Sequence, residues 1–184
     1  MPILGVTASS ISGHLFTDTG VMFPIGMVQV GSAGASTVSF SSIPSTYTHL
    51  QIRIMSLNSS AASDYKFTFN SDTGANYSKH SLYGSGASAA SGNEASASYI
   101  AGGLTGSSTN PGVGITDILE YKNTNIYKTV RSLQGYDTNG SGGYLFFTSG
   151  SWRNTNAITS ITITPYSGTI NQYSSFALYG IKGA

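Results

Sequence analysis

The chain has 184 residues, a formal net charge of +1 and only 8% charged residues, against roughly 25% in ordinary soluble domains. That balance excludes a long-range electrostatic pull on nucleic acid or an anionic membrane surface. The absence of Cys excludes disulfides, thiolate metal sites and cysteine catalysis. Gly, Ser, Thr and Asn fill the polar positions, while 12 Tyr and 8 Phe supply material for a core, and the length suits one domain.

Residues 1–24 show no period; Gly5, Gly13, Gly20 and Pro24 interrupt any regular element. They read as an irregular N-terminal arm before a β domain over 25–184. The arm is more apolar than a free tail needs, and either packs on the domain or docks on a partner, with Leu15, Phe16 and Phe23 as contact candidates. The opening MPILGVTASS has neither the basic flank nor the apolar core of a signal peptide. No apolar run is long enough for a membrane-spanning helix.

Strands are expected at 26–30, 35–41, 48–57, 65–70, 77–83, 97–101, 115–121, 128–134, 144–148, 157–164 and 175–180. The clearest signal lies in two of them. Leu50, Ile52 and Ile54 alternate with Gln51, Arg53 and Met55, then Tyr65, Phe67 and Phe69 alternate with Lys66, Thr68 and Asn70, the period of a strand with one buried face. Residues 115–121 could form a single helical turn, but Gly before and NTN after leave too little length, and strand is preferred. Asp72-Thr73-Gly74, Asn123-Thr124-Asn125 and Thr138-Asn139-Gly140 are turn signals. The stretch GSGASAASGNEASAS at 84–98 buries little area per ordered residue and reads as a surface loop. The fold class that results is all-β, a jelly-roll-like antiparallel β-sandwich of about 8–11 strands.

No constellation of catalytic residues stands out. His14, His49 and His80 lack a partner at metal-ligand spacing, and a general base would need an orienting group. Asp117 and Glu120 would point to opposite faces of a strand, and Asp64, Asp72 and Asp137 lie at turns, where Asx turns outnumber Ca²⁺ sites. No G-x-S-x-G elbow occurs, and GLTGSS at 103–108 lacks the Lys of a phosphate-binding loop. A non-enzyme without metal or cofactor is expected; a hydrolase would require a pocket that brings Asp or Glu side chains together. Aromatics near strand ends carry the binding signal: Tyr83, Tyr99, Tyr136 and Trp152 suit a subunit interface or a sugar face. Arg53 and Arg131 sit in alternating strands, where each needs a carboxylate or a partner, and Asp117 or Glu120 could serve one of them. Arg153 completes the contact candidates.

Four blocks, FSSIPSTYTHLQIR at 40–53, FNSDTGANYSKHSLYG at 69–84, ILEYKNTNIYKTVRSLQG at 118–135 and SGSWRNTNAITSITITPYSG with FALYGIKGA towards the C-terminus, resemble small β-rich structural proteins of tailed bacteriophages, including cyanophage-like viruses. Their order and spacing also match, over most of the chain after Val28. The resemblance implies a jelly-roll or β-sandwich module, often trimeric, in a capsid decoration, head fibre or tail fibre, with Trp152, Arg153 and the closing strand stabilising it. It implies a non-enzymatic virion protein on the particle surface, at the head rather than the tail. Such a subunit is a capsid-decorating homotrimer whose partner is the major capsid protein or another virion protein, with no nucleic acid and no membrane. A tail-fibre or spike module binding host glycan is the alternative.

Overall fold

A computed structural model describes residues 21–140 and 142–183. The described residues form twelve strands and no helix: β1 (Met22–Gln29), β2 (Val38–Phe40), β3 (His49–Ser56), β4 (Asp64–Phe69), β5 (Tyr77–Gly84), β6 (Ala89–Ala97), β7 (Ile100–Leu104), β8 (Gly112–Leu119), β9 (Lys128–Asp137), β10 (Gly143–Trp152), β11 (Ile161–Pro165) and β12 (Ser175–Ile181). Every pairing is antiparallel. An eight-stranded sheet has the order β1-β12-β3-β8-β9-β10-β5-β6, and a four-stranded sheet has the order β2-β11-β4-β7.

The period-two alternation in the sequence becomes the inside and outside of these sheets. In β3, Leu50, Ile52 and Ile54 are buried while Arg53 and Met55 are exposed. In β4, Tyr65, Phe67 and Phe69 are wholly buried. Both sheets contribute to one apolar cluster, in which Leu50, Ile52, Phe176 and Leu178 of the large sheet meet Tyr65, Phe67, Ile161 and Ile163 of the small one. The Tyr65 ring meets the edge of Phe176 at a centroid distance of 5.5 Å. Each such buried side chain contributes about 1.5–3 kcal/mol, so this cluster is the main source of stability.

Where β7 crosses the large sheet, small residues allow a close approach. A Cβ on Gly102 would come within 2.8 Å of the Phe67 ring, and one on Gly114 would lie 3.2 Å from Gly103 Cα. That contact places β7 over β8 and β9, and it only grazes β10 and β5. The large sheet therefore extends past the small one on the β10-β5-β6 side.

Three expectations need correction. Twelve strands exceed the eight to eleven expected. The stretch expected as a loop contains β6, an edge strand whose exposed Ala and Ser side chains carry no hydrophobic alternation and which is held by pairing with β5 alone. The arm expected to end at Pro24 gives way to β1 at Met22, paired to β12. Residues 115–121 are strand as preferred, within β8 and the turn after it. Residues 1–20, with Leu15, Phe16 and His14, lie outside the described residues.

Candidate functional site

Strand pairing in the large sheet aligns outward side chains from distant parts of the chain. Arg53, Ile115, Leu133, Phe147 and Leu82 stand directly opposite one another across β3, β8, β9, β10 and β5. A parallel row runs Met55, Val113, Gly135, Leu145 and Gly84. The seven apolar side chains in these rows are 43–60% exposed. Together they form an apolar band across five strands, on the order of 600 Å², the upper end of what a monomer ordinarily exposes. Gly135 places no side chain in the second row, and a depression of about 380 Å³ opens there, lined by Val113, Ile115, Leu133 and Leu145.

A polar border closes one side of the band. Arg131 Nη2 reaches Asp117 Oδ2 at 3.1 Å, Gln51 Nε2 donates to Asp117 Oδ1 at 2.9 Å, and Arg53 Nε donates to Gln51 Oε1 at 3.0 Å. The Arg53 guanidinium also lies 5.7 Å from the Tyr179 ring centre. Asp117 thus supplies the carboxylate expected for Arg131.

The inner face of the overhang is different in kind. Thr116, Ser132, Thr148 and Ser81 are opposite one another across four strands; Thr116 Oγ1 and Ser132 Oγ are 3.0 Å apart, Ser81 Oγ and Thr148 Oγ1 3.1 Å apart. This hydroxyl row is where the apolar core ends. Beyond it lies a cavity of about 280 Å³ lined by Asp64, Lys79, Ser81, Tyr83, Glu94, Gln134, Phe146 and Thr148, among others. Lys79 Nζ pairs with Glu94 Oε2 at 3.3 Å. Burial pushes the Asp64 carboxyl above its ordinary value, with Lys79 pulling it back and Glu94 adding to the rise. Gln134 is 2% exposed, and neither end of its side-chain amide has a hydrogen-bond partner among the described residues. The Tyr83 and Phe146 rings stack at 5.0 Å, Phe146 lies 5.8 Å from Tyr144, and Tyr144 6.1 Å from Tyr136. Tyr136 and Tyr144 line a neighbouring cleft of about 520 Å³.

The contact candidates from the sequence are dispersed. Arg53 and Arg131 flank the outer band, and Tyr83 and Tyr136 line the inner hollows. Tyr99 lies beside Lys66, whose Nζ is 5.5 Å from its ring centre, and burial, with Glu94 also contributing, pushes its phenol up. Phe23 is spent internally, stacked on Tyr47 at 5.6 Å with Lys182 Nζ 4.4 Å from its ring centre. Trp152 requires correction as a contact residue: at 1% exposure it is core, packed on Phe69 and Tyr77. Arg153 straps the same region, donating from Nη2 to the Ala75 carbonyl at 2.6 Å.

Sequence reasoning missed the outer Leu and Ile residues and Gln134. Leu133 and Ile115 alternate with small or polar neighbours and look like core positions until the register shows which face is covered. His49 Nδ1 accepts the Glu120 amide at 3.0 Å, and His80 is exposed on β5. Among the described residues no group of three or more His, Cys, Asp or Glu side chains could hold a metal ion.

No family model matches the chain, and no curated protein and no solved structure matches it. That finding corrects the identity drawn from the four sequence blocks: the virion, capsid-decoration, bacteriophage and tail-fibre assignments have no relative behind them.

Proposed function

We propose that this chain is a non-enzymatic structural subunit that assembles with further copies of itself through the outer face of its large sheet. The observation that carries this reading is the double row of seven exposed apolar side chains. A band on the order of 600 Å², widened by the polar border, approaches the roughly 800 Å² per partner of a stable interface. The seven apolar side chains carry no charge; on the border Arg131 is neutralised by Asp117, while the Arg53 guanidinium is held by Gln51 and the Tyr179 ring. A second copy of the same face can therefore bury the apolar rows against its own while Arg53, at the β3 margin, keeps its charge in solvent, as a self-complementary contact requires.

The fold reading that accompanies it is a β-sandwich of jelly-roll type. In a jelly roll of eight strands, two Greek keys leave one sheet ordered first-eighth-third-sixth and the other second-seventh-fourth-fifth. The small sheet, β2-β11-β4-β7, follows the first pattern. The run β3-(β8-β9-β10)-β5-β6 follows the second if the β8-β9-β10 meander occupies one strand position, with β12 and β1 added beside β3.

Light scattering on the full chain tests the assembly. A multiple of the 19.1 kDa protomer mass that collapses to the monomer in Leu133→Asp is the expected result. A wild-type monomer at every concentration overturns it.

A further inference from the structure

The geometry points to a binding site for a neutral sugar ring in the cavity under the β5–β6 overhang, separate from the assembly face. The argument starts from Gln134. Its side chain is 2% exposed, lines this cavity, and among the described residues finds a partner for neither its donor nor its acceptor. An orphaned buried polar group costs about 1–3 kcal/mol, so a side chain with both ends orphaned is a site poised for a ligand that donates and accepts at neighbouring atoms. A sugar hydroxyl pair does both.

Charge decides which class of polar ligand fits. Lys79, the only cationic side chain lining the cavity among the described residues, is already engaged by Glu94 at 3.3 Å, so a phosphate or a carboxylate gains no free counter-charge here. The remaining lining groups, the Asp64 and Glu94 carboxyls, Asn93 and the Ser81 and Thr148 hydroxyls, offer both donors and acceptors. The stacked Tyr83 and Phe146 rings supply an apolar wall for the C–H surface of a pyranose. A volume of about 280 Å³ sits at the small end of ligand cavities and suits one ring, with the cleft at Tyr144 and Tyr136 adjoining it.

The cavity mouth is formed by residues too small to close it. Gly92 faces Ser81 across the β5–β6 pairing, lines the cavity, and among the described residues has no atom within 4 Å of where a Cβ would lie. A leucine there fills the mouth without displacing anything, so Gly92→Leu is a plug that does not test folding.

The experiment is a ¹⁵N NMR titration of the full-length chain with the methyl glycosides of glucose, galactose, mannose, N-acetylglucosamine and N-acetylgalactosamine, carried into the millimolar range. At least one is expected to shift the Gln134 side-chain amide together with the backbone amides of residues 92–94. Gly92→Leu and Glu94→Gln are expected to weaken that binding at least about tenfold while leaving the unfolding midpoint in place. The proposal is overturned if no glycoside shifts those resonances, if the shifts map elsewhere, or if Gly92→Leu binds as the wild type does. None of these readouts depends on oligomer mass, so the site and the assembly reading stand or fall separately.

Discussion

The indole Nε1 of Trp152 donates to Asp72 Oδ2 at 2.7 Å, joining the end of β10 to the turn after β4. The same carboxylate accepts from the Gly74 amide at 2.9 Å and from Asn76 Nδ2 at 3.0 Å. A turn signal in the sequence is thus also the anchor of the only tryptophan.

Replacing Asp72 by Ala leaves a buried indole N–H without its acceptor. A loss of about 1–3 kcal/mol is expected, read as a lower urea midpoint with unchanged slope. Trp152 fluorescence reports it directly.

Two carboxyls give opposite pH slopes. Burial raises the Asp72 pKa, but hydrogen bonds from Trp152, Gly74 and Asn76 outweigh it and hold the carboxyl below its ordinary value of 3.8. Its contribution is present above that value and lost as pH falls through the folded pKa. Asp64 is raised, chiefly by burial; its contribution is full below 3.8 and is lost as pH rises through the folded pKa. Asp64→Asn is therefore expected to raise the neutral-pH melting temperature, and Asp72→Asn to flatten the acid limb of stability. Thermal melts across an acid-to-neutral pH series check both.

Lys128 is fully buried, and its ammonium donates to the carbonyls of Asn123, Ile126 and Thr155, the last two at 3.0 Å. Burial pulls its pKa down, with Glu120 partly restoring it. Lys128→Met strands those carbonyls and is expected to cost about 2–4 kcal/mol. Denaturant unfolding measures it, and hydrogen exchange should show the 122–127 turn opening first.

Gly180 has no room for a side chain, because a Cβ would come within 2.1 Å of the Tyr47 ring. Gly180→Ala displaces Tyr47 from its stack on Phe23. Overpacking of this kind costs about 1–3 kcal/mol, and calorimetry should show the loss.

Arg131→Ala, by contrast, removes an exposed ion pair on the border of the apolar band. A change in stability of less than about 1 kcal/mol is expected, and a larger loss in the melting curve would mean that the pair organises the sheet.

The alternations at Leu50–Met55 and Tyr65–Asn70 were legible because side-chain direction in a strand follows from local backbone geometry alone. They determined two-faced strands, the inward residues and the all-β class without any knowledge of neighbours. The composition likewise determined the lack of cysteine chemistry and a net charge of only +1. Strand β6 was not legible, since Ala, Ser and Gly at an edge bury little and are held by β5 rather than by their own pattern. Ile115, Leu133, Phe147 and Leu82 come from four strands, and only register makes them one row. Whether the second sheet covers that row or leaves it bare is a property of tertiary packing, as is the orphaned amide of Gln134. The sequence wrote the two faces of each strand; the pairing order decided which faces meet each other and which are left to meet something else.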